Sequence, residues 1–141
     1  MKIIITYIII ISVYSCDIFQ DAEDMGIFPT NYKILSLGDS YTIGQSVCDE
    51  CNFPVQLKDS LQIELSIDTV NVEIIAVTGW TTTALINSID PVIENDSPDN
   101  IFQNNDIVTL LIGVNNQYQN RPFELYENEF PELVNKAISL T

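Results

Sequence analysis

The stretch YKILSLGDS, Tyr32 to Ser40, decides the fold. It opens as a short run rich in β-forming apolar residues and stops at Gly38-Asp39-Ser40, so a strand is expected over Tyr32 to Leu37, followed at once by a turn. Downstream, Asn52 is a good N-cap, and Pro54 suits a first helical turn. Phe53, Leu57, Leu61 and Leu65 recur at every fourth position, which predicts a helix to about Ser66 with one buried stripe. Thr69 to Val77 alternates and then turns wholly apolar, a second strand that ends near Gly79. Thr81 or Thr82 is expected to cap a short helix over Ala84 to Ile89. Asp90 to Asn105, with Pro91, Pro98 and four Asn, reads as loop with at most one helical turn.

Ile107 to Ile112 is a continuous apolar run closed by Gly113, a third strand, and Glu124 to Leu140 is helical with Pro122 near its start. Strands that alternate with helices are joined by crossovers, and crossovers make parallel sheets. The expected fold class is therefore α/β, a three-layer α/β/α sandwich on a parallel sheet. Val108, Leu110, Leu111 and Ile112 leave the third strand without a polar face, as befits a central strand.

Composition excludes several functions. Among 141 residues, 20 Asp and Glu stand against 5 Lys and Arg, a formal charge of -15 that repels phosphate backbones, so no nucleic-acid partner is expected. The same charge weakens any phosphate-loop reading of Gly38 to Gly44. There is no His. The commonest general base and metal ligand are thus missing from this sequence.

The N-terminus reads as a targeting segment. Lys2 precedes an apolar run from Ile3 to Val13, and these 11 residues would cross only about half of a roughly 30 Å hydrocarbon core. Ser15 before Cys16 resembles the lipobox of bacterial lipoproteins, with Val13 where leucine is more usual. That resemblance implies cleavage after residue 15 and lipidation of Cys16. Residues 16–31 then form an acidic tether, with Asp21, Glu23 and Asp24, ahead of a globular domain over 32–141.

The chemistry is expected at the carboxyl ends of the strands. A serine at a strand-to-helix turn presents its hydroxyl outward beside backbone N–H groups. A glycine after the next strand lets a backbone donor come close to a substrate oxygen, and an asparagine after the third offers a side-chain N–H to the same oxygen. Ser40, Gly79 and Asn115 occupy those three places.

GDSYTIG (Gly38 to Gly44), TGWTT (Thr78 to Thr82) and LLIGVNNQY (Leu110 to Tyr118) resemble, in order, blocks I, II and III of the SGNH or GDSL hydrolases, a likeness that covers Tyr32 to Thr141. It implies a flavodoxin-like sheet, Ser40 as nucleophile, and Gly79 and Asn115 with the Ser40 amide as the oxyanion hole. Asn116 stands where the third block usually carries an acidic residue. Asp39 is expected to serve as a local turn-former rather than as the acid of a triad. Trp80 suits an acyl pocket or simple packing equally well. The fourth block, Asp-x-x-His, is absent, so the sequence is expected to be the N-terminal part of a longer hydrolase, cut after its third strand.

With Cys16 lipidated, Cys48 and Cys51 remain as a C-x-x-C pair, open to three readings: a local disulfide, two thiols without a role, or redox or metal use. The expected function is an exported, membrane-anchored serine esterase acting on a small-molecule, lipid or glycan ester without a cofactor. A surface lipoprotein that binds an acyl or glycan ligand in the same cleft without turning it over is the alternative.

Overall fold

The computed structural model describes residues 31–95, 97 and 100–141. The targeting segment, Cys16 and nearly all of the tether lie outside the described residues. In chain order the elements are β1 (Asn31–Gly38), α1 (Ser40–Ile43), a 3-10 turn (Asp49–Cys51), α2 (Phe53–Glu64), β2 (Thr69–Ala76), α3 (Thr82–Ile93), β3 (Ile107–Leu111), α4 (Val114–Tyr118) and α5 (Phe123–Ser139). Among these, no helix is long and apolar enough to cross a membrane.

The sheet is parallel, in the order β2-β1-β3. Side chains alternate across β1, so one strand feeds two cores. On one face Ile34 packs with Ile67 and Val70 beneath Leu57 and Leu61 of α2 and its C-cap Leu65. On the other, Leu35 and Leu37 meet Leu85 and Ile89 of α3 and Leu133 and Ala137 of α5. Helices on both faces make the expected three layers. Ser36, on the α2 face and fully buried, pairs its hydroxyl with that of Thr109 on β3 at 2.9 Å.

The helix starts follow local chemistry. Asn52 Oδ1 accepts the Val55 N–H at 3.0 Å and its Nδ2 donates to the Asp49 carbonyl at 2.7 Å, so one side chain caps α2 and closes the preceding turn. Asn52→Ala should cost about 1 kcal/mol and lower the melting midpoint by roughly 5 °C, measured by circular dichroism. Thr81 caps α3 through the Ala84 N–H.

One expectation needs correction. α3 does not end near Ile89 but continues through Pro91 to Ile93. Ile89 is fully buried, and Val92 and Ile93 pack against the same core, so burial outweighs the helix bond that proline forfeits. Beside the proline, Asp90 also receives Lys136 of α5 at 2.5 Å, and this hydrogen bond is the main cause of an ammonium pKa above its ordinary value. The third strand lies at the edge of the described sheet, the uncovered position expected of an apolar strand in a hydrolase cut after it. Leu111 is accordingly exposed at its end.

Candidate active site

The three strands finish level, with Gly38 opposite Ala76 on one side and Leu111 on the other. The segments leaving them therefore meet. β1 is central, and the chain departs to β2 on one side and returns to β3 on the other, which opens a crevice between β1 and β3.

The turn after β1 is sharp. Asp39, 1% exposed, caps α1 by accepting the Tyr41 N–H at 3.0 Å, and α1 stops after four residues at Gly44, which takes the left-handed φ of 70°. Ser40, half-buried, is the first residue of α1. Gly79 has a φ of 83°, and a Cβ built there meets nothing within 4 Å, so the space before it is open. Among the described residues neither the Ser40 nor the Gly79 backbone N–H has a hydrogen-bond acceptor. Two backbone donors thus remain uncommitted, one on each of the turns that follow β1 and β2.

Asn115, in α4 after β3, closes the group. Its Nδ2 donates to Asp39 Oδ2 at 3.1 Å and to the Trp80 carbonyl at 2.9 Å. Asp39 is therefore more than a turn-former: it holds a side chain 76 residues away. Gln119 Nε2 donates to the Gly79 carbonyl at 2.8 Å, and the Thr78 hydroxyl to Gln45 Oε1 at 2.5 Å. The sequence reading missed both ties, since neither glutamine stands in a motif.

Asn116 is buried and bridges to the start of α3. Its Oδ1 accepts the Thr82 N–H at 2.9 Å and its Nδ2 donates to the Thr82 hydroxyl at 2.6 Å. That hydroxyl donates in turn to Glu129 of α5, so the carboxylate expected at 116 lies one hydrogen bond further away.

A groove of 570 Å³ runs from Ser40 past Tyr41 and Val47 to Cys51 and Phe53. Cys48 and Cys51 are joined by a disulfide, with Cα atoms 4.9 Å apart, at the rim of this groove. A larger one, 790 Å³, lies beyond Gly113 between Arg121, Phe123 and Tyr126 and does not include Ser40.

Residues 36–140 match the GDSL-like lipase/acylhydrolase family. The chain belongs to that family. Solved structures with the same fold include AlinE4, an SGNH-hydrolase family esterase, at 22% identity and a TM-score of 0.56 over 71% of this chain and 49% of that one. Another is the psychrotrophic esterase EstA from Pseudoalteromonas sp., in a structure inhibited by monoethylphosphonate, at 20% identity and a TM-score of 0.58 over 77% of this chain and 54% of that one. The chain of this family member thus spans about half the length of the solved structures it matches. No curated protein matches it.

Proposed function

We propose that the protein is a serine ester hydrolase of the SGNH type that works through an acyl-enzyme on Ser40. The observation that carries the reading is the placement of Ser40 at a helix start with its backbone N–H uncommitted, and the Asn115 amide that ties the adjoining Asp39 to Trp80, the residue after Gly79. Ser40 Oγ attacks the ester carbonyl carbon, and the carbonyl oxygen gains negative charge. The Ser40 and Gly79 N–H groups and the Asn115 amide stabilise it, the amide by exchanging its bond to Asp39 or Trp80 for one to the oxyanion. The alcohol then leaves, and water releases the acyl group.

None of the 141 residues is the histidine that would take the Ser40 proton, and we assign that base to a continuation of the polypeptide. The half-length match to solved esterases supports this. The groove beside Ser40 is the proposed seat of the ester, small-molecule, lipid or glycan. Export and anchoring through a lipidated Cys16 to a bacterial cell envelope complete the proposal, supported by the sequence alone.

A fluorophosphonate probe tests the reading on the protein as its gene encodes it. Label on the peptide that contains Ser40, located by mass spectrometry, is the expected result. The absence of His favours one second reading, a binding lipoprotein that uses the same cleft, and an unlabelled Ser40 would select it. Asn115→Ala should lower kcat for 4-nitrophenyl acetate by about 10² to 10³ with little change in KM, because the donor acts on charge that develops in the transition state.

A further inference from the structure

Among the described residues Glu129 makes no hydrogen bond to the turn that carries Ser40, yet two hydrogen bonds in series, through the Thr82 hydroxyl, join it to Asn116 in the turn after β3. It sits half-buried on α5, where the Thr83 hydroxyl lies 2.7 and 3.0 Å from its two oxygens and the Thr82 hydroxyl donates to Oε2. Thr82 has one hydroxyl proton, and a carboxylate only accepts. With that proton committed to Glu129, the Thr82 oxygen can enter its other bond only as acceptor. Its partner must then be a donor, and Asn116 Nδ2 is found there at 2.6 Å.

The amide of Asn116 is thereby given one orientation. Nδ2 faces the hydroxyl, and Oδ1 faces the Thr82 N–H at 2.9 Å. Thr82 is fully buried and Asn116 4% exposed, so water is poorly placed to replace either bond. The Asn116 backbone is also engaged at both ends, its N–H with the Gly113 carbonyl and its own carbonyl with the Arg121 N–H. The polarity set at Glu129 therefore reaches the segment that bears Asn115.

We propose that Glu129 is a positioning residue. Through Thr82 it fixes the amide of Asn116 and locks the turn bearing Asn115 against the segment bearing Gly79. This rests on the assignment of Asn115 and Gly79 as oxyanion donors.

The test is a cycle of Asn116→Asp, Glu129→Gln and the two combined, in the protein as its gene encodes it. In Asn116→Asp, two carboxylates compete for one hydroxyl proton and a bond is lost, so kcat for 4-nitrophenyl acetate falls about tenfold while KM holds, and the melting midpoint drops. Glu129→Gln alone costs at most about threefold, since its Oε1 still accepts the Thr82 proton. In the double variant the hydrogen-bond chain runs in the opposite sense. The carboxylate now on α4 accepts the Thr82 hydroxyl and N–H, while the amide now on α5 donates to the hydroxyl oxygen. Most of the lost kcat and midpoint then returns. An equal loss from Asn116→Asp with and without Glu129→Gln overturns the proposal. Coupling in the midpoint with none in kcat overturns the positioning role alone. Failure of the wild-type Ser40 to take a fluorophosphonate overturns instead the assignment on which the proposal rests.

Discussion

Ser40→Ala is expected to abolish fluorophosphonate labelling and to reduce ester hydrolysis by on the order of 10⁵ to 10⁶ in kcat. The size of the effect follows from what a serine nucleophile does in covalent catalysis. Donors that stabilise an oxyanion each contribute a share of the rate, and the remainder survives when one is removed. Without Oγ no acyl-enzyme forms, so the donors have nothing to assist beyond direct attack by water. The substitution is also a clean one structurally. Ser40 follows the capping residue, and Asp39 rather than the Ser40 hydroxyl accepts the Tyr41 N–H that starts α1. The helix start should therefore survive, with the melting midpoint within about 2 °C of wild type. Retained labelling in Ser40→Ala would place the reactive group elsewhere and remove the main support for the esterase reading.

The parts of this site differ in how visibly the sequence carries them. β1 was legible because an apolar run ending in Gly-Asp-Ser states both the strand and the turn within nine residues. The cap at Asn52 and the Leu57, Leu61 and Leu65 stripe were legible for the same reason, since caps and helical periodicity act over three or four residues. α1 and α4, with four and five residues, are too short for any period to show. α3 ran past a proline because tertiary burial of its last turn outweighed a local signal. The hydrogen bonds that tie the site together span 34 residues from Asn116 to Thr82, 47 from Thr82 to Glu129 and 76 from Asn115 to Asp39. Nothing local specifies them. One sign was present in the sequence: Asn116 in place of an acidic residue meant that a charge, if the fold needed one there, had to come from another element.

Gly38→Ala should be the most damaging single change to the fold. A Cβ at this position would stand 2.0 Å from the Thr42 hydroxyl oxygen, 2.9 Å from Thr42 Cβ and 2.5 Å from the Leu111 carbonyl oxygen. Rotating Thr42 about χ1 relieves the first contact only. Its Cβ stays where α1 holds it, and the Leu111 oxygen belongs to the backbone of β3, so α1 must lift or β1 and β3 must part. Thr42 is fully buried, which leaves α1 little room to move outward without exposing the turn beneath it. Overpacking of this kind costs about 3 kcal/mol, against a total of roughly 5 to 15 for a domain, and should lower the melting midpoint by roughly 10 to 20 °C. Thr42→Ala in the same chain should recover only part of the loss, since it removes the hydroxyl but neither the 2.9 Å nor the 2.5 Å contact. Gly79→Ala supplies the contrast. Its φ of 83° strains an alanine, but open space surrounds the new methyl, so the cost should stay near about 1 kcal/mol. The two glycines thus separate two reasons for having no side chain, close approach at Gly38 and backbone conformation at Gly79. Equal midpoints for Gly38→Ala and Gly79→Ala in a thermal melt would refute that separation and with it the tight packing of α1 against the β1 and β3 ends.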